Sequence, residues 1–448
     1  MIGRRVVVVV LDGLRRDFVD AAGTPALHGL AARACRFTAH RSVFPSATRV
    51  VSASFATGCY PARHGLQGNA MALLEGGRLV AHDAGLPGFL AHKRAVSGRA
   101  LAVPTLAERL APHGGAVVFS NVSPGAAYAH DPDGFGHVFH RAGSFGPGRV
   151  PLDPLPVRLD SAGERETTER FSDTALRPGG PALSVLWCGE PDHIQHNTPL
   201  GSPLHRRVLA EADRNAGLVI DTVDRLRAGG ENVLLIVCSD HGHETVSGIV
   251  DVEAELIAAG LKSGPDSDDV LALSNGTATL VYLHPDHDAV RPALGDFLRS
   301  RDWAGVVLDG ADLSTVGQAA TNALAFAVSF RAGEWANEYG IPGCALAGKP
   351  RWGDGVPVGC GQHGGLAAYE QAPFLVVAGE GFGPGVCQSE SRIVDLAPTI
   401  LRHLRIEAVG FDGSPLQTFG AAAPSPDSLR EPAPDQVRGR LFPAGREK

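Results

Sequence analysis

The sequence predicts an α/β fold: a mostly parallel sheet covered by helices on both faces, with a smaller α+β cap inserted into it. Three observations predict it. Val6-Val7-Val8-Val9-Val10-Leu11 is an unbroken, mostly β-branched run, the pattern of a central strand buried on both faces. Strand-like and helix-like segments then alternate, which is how a covered parallel sheet is built. The stretch from about Thr245 to Pro357 reads differently, holding several strand-like runs and a single helix.

The elements follow in order. Thr24–Ala34 reads as a helix with Thr24 as its cap and Pro25 at its first position. Further strands are expected at Ala116–Ser120, Ala182–Cys188, Asn232–Ser239 and Pro373–Ala378. Further helices are expected at Val103–Ala111, Leu204–Ala228 and Val394–Leu404. In the longest, Val208, Ala212, Ala216, Val219 and Val223 keep a helical period. Inside the inserted stretch, Ala278–Leu283, Val306–Leu308 and Ala323–Phe330 read as strands and Val290–Ser300 as a helix. The expected organisation is a catalytic core of residues 1–244 and 358–415 with a cap of 245–357. Residues 416–448 are Pro- and Ala-rich and read as a surface-wrapping or disordered tail.

Composition narrows the function classes. A chain of 448 residues with 44% hydrophobic and 20% charged residues can bury a large core. Its net charge of −8 offers no basic patch for nucleic acid. No apolar run approaches a membrane span. Arg4 and Arg5 precede a short apolar run that ends at Asp12, too short for a secretory leader. The seven cysteines (35, 59, 188, 238, 344, 360, 387) form no CxxC pair, so no zinc knuckle or redox motif is present. Cys188 and Cys238 sit in apolar runs and read as buried thiols of a reducing, cytoplasmic compartment.

Four segments carry chemistry, each at a predicted strand end or turn, where α/β proteins place ligand-binding groups. Asp12-Gly13 ends the first strand. Phe44-Pro45-Ser46-Ala47-Thr48-Arg49 sets Ser46 or Thr48 at a helix start, where free N–H groups favour anions and an acidified hydroxyl. Glu190-Pro191-Asp192-His193-Ile194-Gln195-His196 spaces Asp192 and His196 one helical turn apart, a metal-ligand spacing. His193, one position on from Asp192, points elsewhere. The fourth pairs Ser239-Asp240-His241-Gly242 with Gly361-Gln362-His363-Gly364-Gly365 and adds an Asp-His pair and a third His. The GxGxxG at residues 359–364 lacks the strand–turn–helix context of a dinucleotide site. Asp12, Asp192, His196, Asp240, His241 and His363 thus offer six O/N donors without Cys, a set suited to two zinc ions, with Mn2+ or Fe compatible with the same donors.

In this order the segments resemble the alkaline phosphatase superfamily, in its type I phosphodiesterase and nucleotide pyrophosphatase branch. The resemblance covers roughly residues 1–245 and 355–410 and includes Thr57-Gly58-Cys59-Tyr60-Pro61-Ala62-Arg63-His64-Gly65 and Asn69. It implies that Asp192, His196 and His363 bind one zinc, and that Asp12, Asp240, His241 and the Thr48 hydroxyl bind the other. Thr48 would attack phosphorus and pass through a phosphothreonine released by zinc-bound water. Asn69 and a backbone N–H would take the charge on a non-bridging oxygen.

The implied substrate is a small phosphate or phosphonate ester. Nucleotide-type members carry an aromatic residue after the Thr, whereas this chain carries Arg49. Arg49 either lies in the pocket mouth, where it would meet a second negative group on the substrate, or pairs with a surface acid. Phosphonoacetate hydrolases, which cleave a C–P bond, resemble the chain in the same metal set and in the cap. A catalytically degenerate metal-binding protein is the alternative outside enzymes. Sulfatases are disfavoured, since no second Asp pairs with Asp12 at the first strand.

Overall fold

The structure is a computed structural model that describes residues 3–419. Its centre is a ten-stranded sheet. Arg4–Leu11 lies in the middle, parallel to Leu183–Cys188 on one side and to Asn232–Cys238 on the other. Ala116–Ser120 and His137–Phe139 continue the parallel set. The valine run works as its composition predicts. Val6, Val8 and Val10 enter one hydrophobic core, while Val7, Val9 and Leu11 enter the other. Successive side chains point to opposite faces, so a strand buried on both must be apolar throughout.

Helices cover both faces. Pro25–Arg33, Ser161–Ala175 and Pro203–Ala228 pack on the Val7 side. Thr48–Thr57, Leu106–Leu110 and Leu396–Leu404 pack on the Val8 side. Two details differ from expectation. Leu375–Ala378 runs antiparallel to Asn232–Cys238, so the sheet is mixed at that edge. Thr24 does not cap its helix: its hydroxyl donates to the Asp20 carbonyl, and the Asp213 carboxylate accepts from Ala26 and Leu27 N–H instead. A carboxylate at a helix N-terminus meets both the free donors and the helix dipole.

Between His241 and His363 the chain builds two smaller sheets. Val270–Ser274, Ala278–Leu283, Leu324–Phe330 and Ala304–Asp309 form an antiparallel sheet. The helix Arg291–Arg299 puts Leu294 and Leu298 into a core with Val281, Phe326 and Val328. The opposite face, through Leu271, Leu280 and Tyr282, joins the main core. The second sheet contains Glu244–Val250, Pro342–Gly348 and Gly361–Gln362. In it Glu244 pairs with Gln362, which draws the two flanking ligand segments together. The expected boundary at residue 244 therefore falls on a strand.

Leu416–Thr418 forms a short turn with Leu416 buried. The rest of the expected tail, residues 420–448, lies outside the described residues. Among the described residues, no helix is long and apolar enough to cross a membrane. All seven cysteines are free and buried.

Candidate metal centre and active site

The parallel register assembles the site. Leu11 stands opposite Cys188, and Val10 opposite Cys238. The chain leaves these neighbouring strand ends as Asp12, Asp192 and Asp240, so three carboxylates arrive at one crevice. Gly13 follows Asp12 with φ +70°, and a Cβ there would stand 2.7 Å from His243 Nε2. Only glycine permits both the left-handed turn and this close approach.

Two donor clusters result. In the first, Asp192 Oδ1 lies 3.3 Å from His196 Nε2 and 3.5 Å from His363 Nε2. In the second, His241 Nε2 lies 3.4 Å from Asp12 Oδ1 and 3.2 Å from Asp240 Oδ2. The Thr48 hydroxyl joins the second cluster, 3.3 Å from His241 Nε2 and 3.5 Å from Asp12 Oδ1. Thr48 opens the helix Thr48–Thr57 after the extended residue Ala47. Asp192 also stands within ligand range of Asp12 and His241, so the clusters share it.

The residues fit a pair of cations. His196 Nδ1 contacts the Gly361 carbonyl, His363 Nδ1 the Ser46 carbonyl, and His241 Nδ1 the Gly242 carbonyl. Donation from Nδ1 leaves each Nε2 lone pair facing the cluster, as metal-ligating imidazoles require. Asp240 Oδ2 is buried without a hydrogen-bond partner, and a buried carboxylate oxygen is costly unless something positive meets it. Burial and the neighbouring Asp240 push the Asp12 carboxyl well above its usual range. Burial opposes ionisation of Asp192 as well, but His196 and His243 outweigh it and hold that carboxyl well below. Burial and His241 keep His363 neutral, the form that binds metals.

Supporting side chains were not evident from sequence. The Trp187 indole donates to Asp12 Oδ2 at 3.1 Å, which turns Oδ1 toward the cluster. His243, fully buried, places Nε2 2.8 Å from Asp192 Oδ1 and within ligand range of His196 and His363. Its signal was the His-x-His spacing after Asp240. The Ser46 hydroxyl is already engaged. It accepts from Gly364 N–H and donates to the Gly365 carbonyl, anchoring the His363 loop. His193 faces Glu190 and is turned away from the clusters. His64 is buried against Ser54 at 2.9 Å and is a packing residue.

The sequence also spells Cys59-Tyr60-Pro61-Ala62-Arg63, the Cys-x-Pro-x-Arg pattern of sulfatases. The case against a sulfatase therefore rests on the missing second Asp and on the position of this stretch. Cys59 lies beyond the far end of the Thr48–Thr57 helix, about 15 Å along its axis. Its thiol is buried against the Gly410 carbonyl.

A cleft of about 260 Å³ opens beside the clusters, lined by His196, His363, Asn69, Arg49, Asn275 and Trp352 among others. Asn69 Oδ1 accepts the Arg49 backbone N–H at 3.2 Å, which leaves its NH2 group to donate. The Arg49 guanidinium lines the cleft but also has a protein partner, Asp83 at 3.7 Å.

Fold and site together define a member of the alkaline phosphatase superfamily. The family model described as type I phosphodiesterase / nucleotide pyrophosphatase matches residues 6–301. The chain belongs to that family, whose members are hydrolases of phosphate esters. No curated protein matches the chain. Among solved structures, murine ectonucleotide pyrophosphatase / phosphodiesterase 5 is similar, at 18% identity and TM-score 0.65, over 92% of this chain and 97% of that one. Wild-type alkaline phosphatase PafA is similar at 14% identity and TM-score 0.69, over 94% and 99% of the two chains. Phosphonoacetate hydrolase from Sinorhizobium meliloti 1021, solved with phosphonoacetate, is similar at 18% identity and TM-score 0.62, over 91% and 96%. At such identities these likenesses concern the fold.

Proposed function

We propose that the chain is a two-zinc hydrolase of phosphodiester or pyrophosphate bonds that works through a phosphothreonine at Thr48. One observation carries the reading: the Thr48 hydroxyl heads a helix and lies against Asp12 and His241, among buried carboxylates that need cations. Asp192, His196 and His363 would hold one zinc, and Asp12, Asp240, His241 and Thr48 the other. Mn2+ or Fe suits the same donors. Such a pair, when bound, neutralises charge on the attacking and leaving oxygens of an in-line displacement. Thr48 supplies the attacking oxygen from a helix N-terminus, where the backbone dipoles favour its ionised form. The Asn69 NH2 group donates to a non-bridging oxygen as charge develops there. Trp187 and His243 hold Asp12 and Asp192 in place.

Residues 245–357 act as the cap that sets substrate choice. Asn275, Gly348 and Trp352 from this segment reach the cleft, which supports that role. The small cleft suits a small-molecule ester. The free, buried cysteines support a cytoplasmic setting. A panel of diesters, nucleotides, monoesters and phosphonates tests the reading. Diester or pyrophosphate turnover is expected, together with at least two tightly held metal equivalents. Chelation should abolish turnover, and a metal-free protein that stays active would overturn the proposal.

A second reading, hydrolysis of a C–P bond in a small carboxylated phosphonate, is favoured by Arg49 in the cleft beside Asn69. A guanidinium can hold a carboxylate or a second phosphoryl oxygen in a bidentate way. Arg49→Ala is expected to raise KM by roughly tenfold for such doubly charged substrates. Bis(p-nitrophenyl) phosphate should be little affected. Equal losses on both would assign Arg49 to the reacting phosphoryl group. No loss on either would leave Arg49 only its pairing with Asp83.

A further inference from the structure

We propose that Glu75, His82 and His92 form a third transition-metal site, built apart from the active centre and independent of the two-zinc reading. Glu75 ends the strand Ala70–Glu75, and His82 lies in its hairpin partner Arg78–Asp83. In their register Met71 faces His82 and Glu75 faces Arg78. Cross-strand partners share a face and so do alternate residues, so Glu75 and His82 project on the same side. The helix Phe89–Ser97 crosses that side and contributes His92.

The three side chains converge on one point. His82 Nε2 lies 2.5 Å and His92 Nε2 2.8 Å from the same oxygen, Glu75 Oε1. The two rings stand 4.8 Å apart between centroids, and Phe89 packs against His82. All three donor atoms lie within 4.8 Å of one another. Two imidazole nitrogens and one carboxylate oxygen are a zinc donor set that leaves a fourth position for water. The site is open to an ion from solvent, since the His92 side chain is 43% exposed. The nearest hairpin cation, Arg78, is turned away onto Asp268.

The position has a consequence for the cleft. A metal here clamps the hairpin to the helix, and His82 directly precedes Asp83, the partner of Arg49. The hairpin also begins directly after Asn69. The third ion is thus a structural clamp for the wall that carries both cleft residues.

Zinc stoichiometry of the full chain tests the site, by equilibrium dialysis and metal analysis. Wild type is expected to bind three equivalents and His92→Ala two, with the third weakened at least tenfold. Far-UV circular dichroism of His92→Ala reports that the variant is folded, and Glu75→Gln provides a second variant of nearly unchanged shape. Equal stoichiometry in wild type and both variants would overturn the proposal. One equivalent in wild type and none in His92→Ala would uphold this site while removing the two-zinc active centre.

Discussion

Thr48→Ala is expected to lower kcat by about a thousandfold or more while leaving the active-centre metals bound. The hydroxyl is the nucleophile in the proposed reaction but only one of four contacts to its cation. Asp12, Asp240 and His241 remain to hold that ion. No neighbouring hydroxyl can substitute, because Ser46 is committed to the Gly364 and Gly365 backbone. Thr48→Ser keeps the attacking oxygen and should retain part of the activity. Steady-state kinetics with metal analysis on the same preparations separate these outcomes. A Thr48→Ala enzyme with wild-type kcat would leave water as the nucleophile and end the phosphothreonine mechanism.

Asp192→Ala is expected to release the metal held with His196 and His363, to weaken binding of the other, and to cost at least about a thousandfold in kcat/KM. The reason is geometric. Asp192 belongs to both donor clusters, beside His196 and His363 on one side and Asp12 and His241 on the other. His243→Ala removes one hydrogen bond to Asp192 and should weaken metal affinity by a more modest ~10–100-fold. Metal retention after dialysis, compared across the two variants, measures the difference. An Asp192→Ala protein that kept both ions would show that the clusters do not depend on a shared ligand.

What the sequence determined by itself was local. The valine run demanded a strand buried on both faces, because side-chain alternation leaves no other place for six apolar residues in a row. The four-residue spacing of Asp192 and His196 put both on one side of a helical turn, and the structure keeps them 3.3 Å apart. Asp12, Asp240 and His241 could be read as strand-end residues, and register then made strand ends neighbours. What only the tertiary structure decided was the pairing of residues distant in sequence. Thr24 carried the right side chain for a cap, yet Asp213, 187 residues from Ala26, took the helix donors. Arg49 was legible as a cleft residue but not as the partner of Asp83, which a hairpin delivers. His243 was passed over because its value depends on Asp192, 51 residues away, and on the pairing of Glu244 with Gln362. Periodicity and capping chemistry act over a few residues and leave their mark in the sequence. A contact between distant segments leaves none, because its energy exists only once the sheet has fixed which strand ends stand side by side.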